Sequence, residues 1–240
     1  MREQISVVIP AYNEEKKLEP SLQRITEYLE KNFKDYEVLL IDDGSKDTTV
    51  EIANKFKEKK VKIIQNPKNM GKGFSVKLGM INAKYDPILF SDADLATPIE
   101  ETEKFLATIQ KGYDVVVASR NIEGAKITVE QPKYRQVLGK AFPLIVKNMI
   151  LPDFKDTQCG FKMFKKNAAR KIFPRQTIQR WAFDVEVMFI AKKLGYKIKE
   201  LPVTWTDKGD SKLSPVKDSL KMFNEILKIK YNEIKGEYKP

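Results

Sequence analysis

The chain has 240 residues, 42% of them hydrophobic, a formal net charge of +11, no histidine and one cysteine. That length and composition suit one large domain with a substantial core. Lone Cys159 excludes an internal disulfide or multi-cysteine metal site, and the lack of histidine excludes Ser/His and Cys/His catalysis.

No window reaches the roughly 20 apolar residues of a membrane span, and the start, MREQISVVIP, lacks the regions of a signal peptide. A soluble, cytosolic protein is expected, with chemistry that runs on carboxylates, lysines, arginines and backbone.

Strand-like and helix-like segments alternate through the first half. ISVVIPA (5–11), YEVLLIDD (36–43), VKIIQN (61–66), PILFSDAD (87–94) and DVVVASR (114–120) are short, apolar and β-branched, as buried parallel strands are. Leu18, Leu22, Ile25, Tyr28 and Leu29 form one helical stripe. Val50, Ile52, Ala53 and Phe56 form a second, with Ser45 and Asp47 as candidate N-caps. Repeated strand, helix, strand units predict an α/β fold with a doubly wound, mainly parallel sheet flanked by helices.

After residue 120 the pattern loosens. NIEGAKITVEQPKYRQ reads as a loop or lid, and AFPLIVKNMIL (141–151) as either a core helix or a segment lying in a membrane interface. DTQCGFKMFKK predicts a short strand, FDVEVMFIAKKLGY a helix ending at Gly195, and IKELPVTW a strand. From about 215 to 233, Val216, Leu220, Phe223, Ile226, Leu227 and Tyr231 recur at helical spacing. No linker or repeat divides the chain, so residues 1–240 read as one domain.

Open α/β sheets bind ligands beyond the carboxyl ends of their strands, and here those ends read PAYNEE, DDGS, SDAD and ASR. Tyr12 can lean on a base and Glu14 can accept from ribose or base donors; equally, Asn13 or Glu14 can cap a helix. Asp42 and Asp43 stand where an acid at the end of a second strand takes ribose or base donors. There is no G-x-G-x-x-G in this segment and no P-loop motif anywhere. NMGKGFSV carries Lys72 in a glycine turn before a helix, which suits a phosphate.

Asp92 and Asp94, two apart on an extended segment, would project to one face and raise each other's pKa unless a cation sits between them. Hard oxygen ligands of this kind suit Mg2+ or Mn2+ bridging a diphosphate. The alternative is one aspartate in solvent and the other, with Thr97 before Pro98, capping the next helix.

Residues 120–180 hold fourteen Lys/Arg and four Asp/Glu. The cluster suggests a phosphate, nucleic acid or anionic membrane surface as partner, or a plainly solvated face. Cys159 beside Gly160 reads as packing, and Trp181 and Trp205 as packing or as contacts to sugar or lipid.

VVIPAYNEE, IDDGSKDTT, NMGKG, SDAD, DTQCGFKMFKK and RWAFDVEV, in this order, resemble the family 2 glycosyltransferases. Within that family they look most like the dolichyl-phosphate (polyprenyl-phosphate) β-glucosyltransferases and the related polyprenyl-phosphate mannose synthases. The resemblance covers essentially the whole chain. It implies a GT-A fold, a nucleotide-sugar donor, a divalent metal (Mg2+ or Mn2+) on the D-x-D motif, and inversion at the anomeric carbon. Carried over by motif, residues 1–95 form a nucleotide-sugar half and 96–240 an acceptor half. Pro10, Tyr12, Glu14 and Asp42 would hold the nucleoside with Asp43 and Lys72 nearby, while Asp92 and Asp94 serve ribose, metal and diphosphate. Arg120 and Arg135 would bind the acceptor phosphate, and Ser211 and Lys212 would belong to a loop closing over the donor phosphates.

The chemistry is consistent with that. A phosphate monoester has its second pKa near about 6, so at neutral pH it is already a nucleophilic dianion that needs positioning more than deprotonation. Arginine supplies bidentate, permanent charge for this. A sugar-hydroxyl acceptor would instead need a general base. Asp184 and Glu186 are the candidates; two apart on a helix they point apart, and Asp184 is the one expected to line the site.

The resulting expectation is transfer of a hexose, favoured as glucose from UDP-glucose, to a polyprenyl or dolichyl phosphate at the cytoplasmic membrane face. The rivals are GDP-mannose as donor, a sugar hydroxyl as acceptor, a catalytically dead nucleotide-sugar sensor, and a basic nucleic-acid-binding protein. The acids clustered at the strand ends disfavour the last, so no nucleic-acid partner is expected.

Overall fold

A computed structural model of the chain describes residues 2–129, 146–209 and 215–239. Among the described residues, the strands and longer α-helices are β1 Arg2–Ala11, α1 Glu15–Asn32, β2 Phe33–Asp42, α2 Thr49–Asn54, β3 Val61–Gln65, α3 Lys72–Asn82, β4 Ile88–Ser91, α4 Thr102–Gln110, β5 Val115–Ser119, β6 Lys126–Val129, β7 Phe161–Phe164, α5 Lys166–Ile172, α6 Phe183–Lys193, β8 Ile198–Pro202, β9 Thr204–Thr206 and α7 Pro215–Lys235, and residues 146–149 are helical as well. Seven strands form one sheet in the order β3-β2-β1-β4-β7-β5-β8, parallel except for β7, which runs antiparallel to both neighbours. The expected doubly wound, mainly parallel sheet is present.

Both faces of this sheet are apolar, which is why its strands read as unbroken hydrophobic runs. Alternate residues feed two cores. Val8, Leu39, Ile41, Ile88, Phe90, Val115 and Val117 pack on one side with α3, α5 and α6. Val7, Ile9, Val38, Leu40, Leu89 and Val116 pack on the other with Leu18, Leu22, Ile25 and Leu29 of α1. The predicted stripe of α1 is therefore the face it buries.

The structure corrects several local readings. β4 stops at Ser91, so Asp92 and Asp94 lie in the turn beyond it and not on one strand face. IKELPVTW splits at Val203 into β8, in the main sheet, and β9, which pairs with β6 from the predicted lid. The N-cap of α2 is Thr48 rather than Ser45 or Asp47. Thr97 does not cap the next helix: a short 3-10 turn, Ile99–Glu101, begins after Pro98, and the Thr97 hydroxyl meets Cys159 Sγ at 3.6 Å. Of segment 141–151, residues 141–145 lie outside the described residues, while Val146, Ile150 and Leu151 are buried in the core. Among the described residues no helix is long and apolar enough to cross a membrane.

Connectivity places the site. From β1 the chain winds outward to β2 and β3, then returns to put β4 on the other flank of β1. The carboxyl ends of β1, β2 and β4 thus meet at the switch point, where a crevice forms. β7, running the opposite way, begins there: Phe161 pairs with Ser91, which brings the QCG segment against SDAD.

Candidate active site

The loops after β1 and β2 are joined by hydrogen bonds. Asn13, at φ 51°, donates its amide to Ser45 Oγ and accepts from Lys46 N through its side chain, while Glu14 N donates to Thr49 Oγ1. Between them opens a cleft of 390 Å³ lined by Asn13, Glu14, Lys17, Lys46 and Asp47. Lys17 reaches across to donate to the Gly209 carbonyl at 3.0 Å. Pro10 is buried in β1 beside Ile41, and Tyr12 follows at the crevice edge.

The two aspartates after β2 have separate tasks. Asp42 accepts from Ser45 N at 3.2 and 3.3 Å, closing its own turn. Asp43, almost fully buried, accepts from Asn66 Nδ2, Met70 N and Gly71 N, each at 2.8 Å. Its carboxylate is thereby committed to shaping the NMGKG loop, whereas the sequence suggested a direct donor contact. A side chain at Gly71, φ 107°, would put its Cβ 2.4 Å from the Gln179 carbonyl oxygen, so this loop lies flush on residues 178–180.

That packing directs Lys72 into the crevice. Its ammonium sits 2.6 Å from Asp92 Oδ1, between the rings of Phe90 and Trp181 at 5.6 and 5.8 Å. The cation that the paired aspartates call for is, within the chain, Lys72. Burial opposes its charge, but Asp92, Asp184 and Asp94 outweigh that and hold its pKa above the ordinary lysine value. Asp94 is pushed up by burial and by the Asp92 charge, although Ala96 N donates to it at 3.0 Å. Asp92 Oδ1 is buried with the Lys72 charge beside it but no hydrogen bond of good geometry.

Asp92 lies directly on the backbone of residue 160. Its amide donates to the Gly160 carbonyl at 3.0 Å, and any Cβ at 160 would fall 1.9 Å from Oδ2. Gly160 is therefore part of the site, a role the sequence reading did not assign.

Arg120, at the end of β5, makes a two-pronged bond to buried Asp156, Nε to Oδ2 at 2.7 Å and Nη2 to Oδ1 at 3.0 Å, and lies 5.4 Å from the Trp205 ring centroid. Burial opposes the guanidinium charge, yet Asp156 raises the Arg120 pKa, and Asp92 adds to it. Asp156, for which burial acts the other way, is held below the ordinary carboxylate value by Arg120. Sequence reasoning missed Asp156 because its partner is 36 residues distant; the DTQCG motif was its signal.

Asp184 does not line the crevice surface. It is 3% exposed and paired with Lys162, itself 1% exposed, whose ammonium also donates to the Cys159 carbonyl at 2.7 Å. Burial raises the Asp184 pKa despite Lys162 and Lys72. Glu186 points elsewhere, accepting from Thr177 N, Ile178 N and the Tyr238 hydroxyl. Neither acid stands at a solvated helix start, and neither is placed as a general base. Cys159 is buried and its thiol is pushed up to about 11 by burial, which fits packing. Arg135, Ser211 and Lys212 lie outside the described residues.

The site thus joins an acidic pair, a glycine-turn lysine and a clamped arginine at a topological switch point. The sequence pattern of Glycosyl transferase family 2 matches residues 6–173. A dolichyl-phosphate beta-glucosyltransferase of Trichomonas vaginalis is 39% identical over 235 residues, 92% of this chain and 69% of its own. A dolichyl-phosphate beta-glucosyltransferase of Homo sapiens is 36% identical over 251 residues, 98% of this chain and 78% of its own. Among solved structures, glucosyl-3-phosphoglycerate synthase from Mycobacterium tuberculosis in complex with uridine-diphosphate superposes with a TM-score of 0.65 at 17% identity, covering 94% of this chain and 78% of that one. The same enzyme in complex with Mn2+ and uridine-diphosphate-glucose gives a TM-score of 0.62 at 14% identity, covering 93% and 76%. With a GT-A sheet and a family pattern that spans the site from β1 past β7, the chain belongs to glycosyltransferase family 2.

Proposed function

We propose that this glycosyltransferase moves glucose from UDP-glucose to the phosphate of a dolichyl or polyprenyl phosphate, with inversion, at the cytoplasmic membrane face. The observation that carries the reading is the apposition of Asp92, Asp94 and Lys72 with Arg120 close enough to feel the Asp92 charge. Lys72 and Arg120 offer one cation to each of two phosphate groups, and among the described residues neither Asp184 nor Glu186 is placed as a general base, which suits an acceptor already ionised. The relatives' dolichyl-phosphate glucosyl transfer supports the acceptor and sugar.

The residues divide the work. Tyr12, Glu14 and the cleft between the β1 and β2 loops receive the nucleoside, with Asp42 and Asp43 shaping their turns. Lys72 binds the diphosphate that departs. Arg120, held by Asp156 and Trp205, orients the acceptor phosphate; Arg135 would join it, and Ser211 and Lys212 would close over the donor.

Among the described residues no three His, Cys, Asp or Glu side chains gather as a metal cage, so a Mg2+ or Mn2+ ion would need phosphate oxygens as further ligands. Asp92, whose buried Oδ1 meets the Lys72 ammonium without a well-aligned hydrogen bond, and Asp94 fit that partial ligand set. Such an ion would offset charge on the leaving diphosphate. An acceptor phosphate oxygen forms the new bond to the anomeric carbon as the bond to the UDP oxygen breaks, and its electron pair leaves with UDP. No proton needs to move.

The test incubates the protein with labelled UDP-glucose, polyprenyl phosphate in detergent, and Mg2+ or Mn2+, then follows label into the organic phase. Glucose-dependent label in lipid is expected; label that stays in water with every lipid phosphate, or appears on a sugar hydroxyl acceptor instead, overturns the reading.

A further inference from the structure

We propose that the exposed face of α7 docks on an anionic lipid bilayer. The proposal rests on the lipid-phosphate acceptor above and names the surface that would bring the site to it. Segment 141–151 was the sequence's candidate for this contact, but of its described apolar residues Val146, Ile150 and Leu151 are spent on the core and Met149 alone is exposed.

α7 is apolar on two sides. Met222, Ile226 and Ile229 are buried in the core that contains α6, fixing the helix to the body. On the other side Leu220, Phe223, Leu227, Tyr231 and Ile234 are all exposed, Ile234 to 85%. These are five of the nine large apolar side chains exposed among the described residues. At 3.6 residues per turn the five share a sector of about 80° and run for about 21 Å along the helix. Isolated exposed apolar residues need no explanation, but a continuous stripe does.

Charge selects the occupant. Lys221, Lys228 and Lys235, spaced by seven, form an exposed row beside the stripe. Between residues 220 and 235 no Asp or Glu is exposed. Glu225 accepts from Ala182 N at 3.0 Å, and Glu233 pairs with Lys193 and Lys230. An apolar stripe edged by lysines is the pattern of a helix lying in a lipid interface, where each lysine adds attraction to anionic headgroups. A second copy of this face would set its exposed lysines against the same lysines, with no exposed acid among residues 220–235.

Position agrees. The Glu225 carboxylate holds Ala182, whose neighbour Trp181 flanks Lys72. α7 is thus bound directly to the wall of the crevice that receives the acceptor phosphate.

The experiment measures co-sedimentation of the full chain with vesicles of phosphatidylcholine alone and of equal parts phosphatidylcholine and phosphatidylglycerol. Binding to the anionic vesicles, weakened by salt, is expected. Leu227→Ser with Ile234→Ser should lower partitioning on the order of tenfold or more. Lys228→Ala with Lys235→Ala should lower it roughly 25-fold, about fivefold for each lysine. Both variants, altered only on the exposed face, should keep wild-type transfer to detergent-dispersed polyprenyl phosphate.

Failure of the wild type to bind, or variants that bind like it, overturns the docking surface. So does a dimer that Leu227→Ser dissolves while vesicles go unbound. Transfer in detergent without vesicle binding overturns only the docking. Vesicle binding lost in these variants, in a chain that transfers nothing, supports the docking and overturns the proposed activity.

Discussion

A methyl group on residue 160 would lie 1.9 Å from Asp92 Oδ2 and 2.2 Å from its Cγ, well inside contact distance. The carboxylate cannot retreat freely, because Lys72 holds its other oxygen at 2.6 Å. Gly160→Ala should therefore displace Asp92 by about an ångström, a misplacement that costs on the order of a hundredfold in rate. Measured kcat should fall by that order while circular dichroism stays native; an unchanged kcat would show that this pose of Asp92 is irrelevant. Lys162 and Asp184 call for a different measurement, since neither reaches the crevice. Removing one partner of a buried pair strands the other charge, at about 3–5 kcal/mol. Lys162→Met should lower unfolding free energy by that order in urea, and adding Asp184→Leu should recover most of it. If the single variant is as stable as wild type, the pair contributes nothing to the fold.

The strands and helices of the first half were readable because a sheet buried on both faces needs runs such as SVVIPA and VLLIDD, and α1 needs a stripe at 3.6-residue spacing. The direction of β7 was not readable, because four apolar residues look alike in either orientation; the antiparallel insertion shows only when Phe161 is seen opposite Ser91. Site residues divide the same way. Lys72, Asp92, Asp94 and Arg120 stand at strand ends or glycine turns and announced themselves. Gly160, Asp156 and Lys162 act through partners distant in sequence, and no local pattern reveals which partner a buried charge will find. Asp43 was visible as an acid but not as the organiser of a loop, since that depends on Met70 and Gly71 folding back onto it. Each hydrogen bond to a charged acceptor contributes about 1.5–3 kcal/mol. Asp43→Ala should thus loosen the NMGKG loop, lowering the melting temperature and raising the KM for UDP-glucose through a misplaced Lys72. Unchanged values of both would show that the loop holds its shape without this carboxylate.

Across the molecule, buried and paired carboxylates couple stability to acid in two opposite senses. Burial would raise Asp156, but Arg120 holds it below its ordinary 3.8. For Glu37 burial is likewise overcome, here by Lys62, Lys84 N and Ser6, which keep it below 4.5. Because the folded state binds these protons less tightly than the unfolded chain, their stabilisation is complete above the ordinary values and is lost as pH falls through the lowered ones. Asp184 and Glu225 run the other way: burial raises both, so they subtract stability above their folded values, and that subtraction disappears as pH falls through them. The chain already carries a formal +11, and protonating its carboxylates increases self-repulsion, which steepens the acid side. Urea unfolding across pH should accordingly show stability rising slightly on the acid side of neutrality and then falling steeply below about 4. One group contributes at most about 1.4 kcal/mol per pH unit. Asp156→Asn should flatten the acid limb by up to that slope while lowering stability at neutral pH, because an amide carries no charge to set against buried Arg120. An acid limb as steep in Asp156→Asn as in wild type would mean that the Arg120–Asp156 clamp persists through acid, and that general repulsion among the lysines unfolds the chain first.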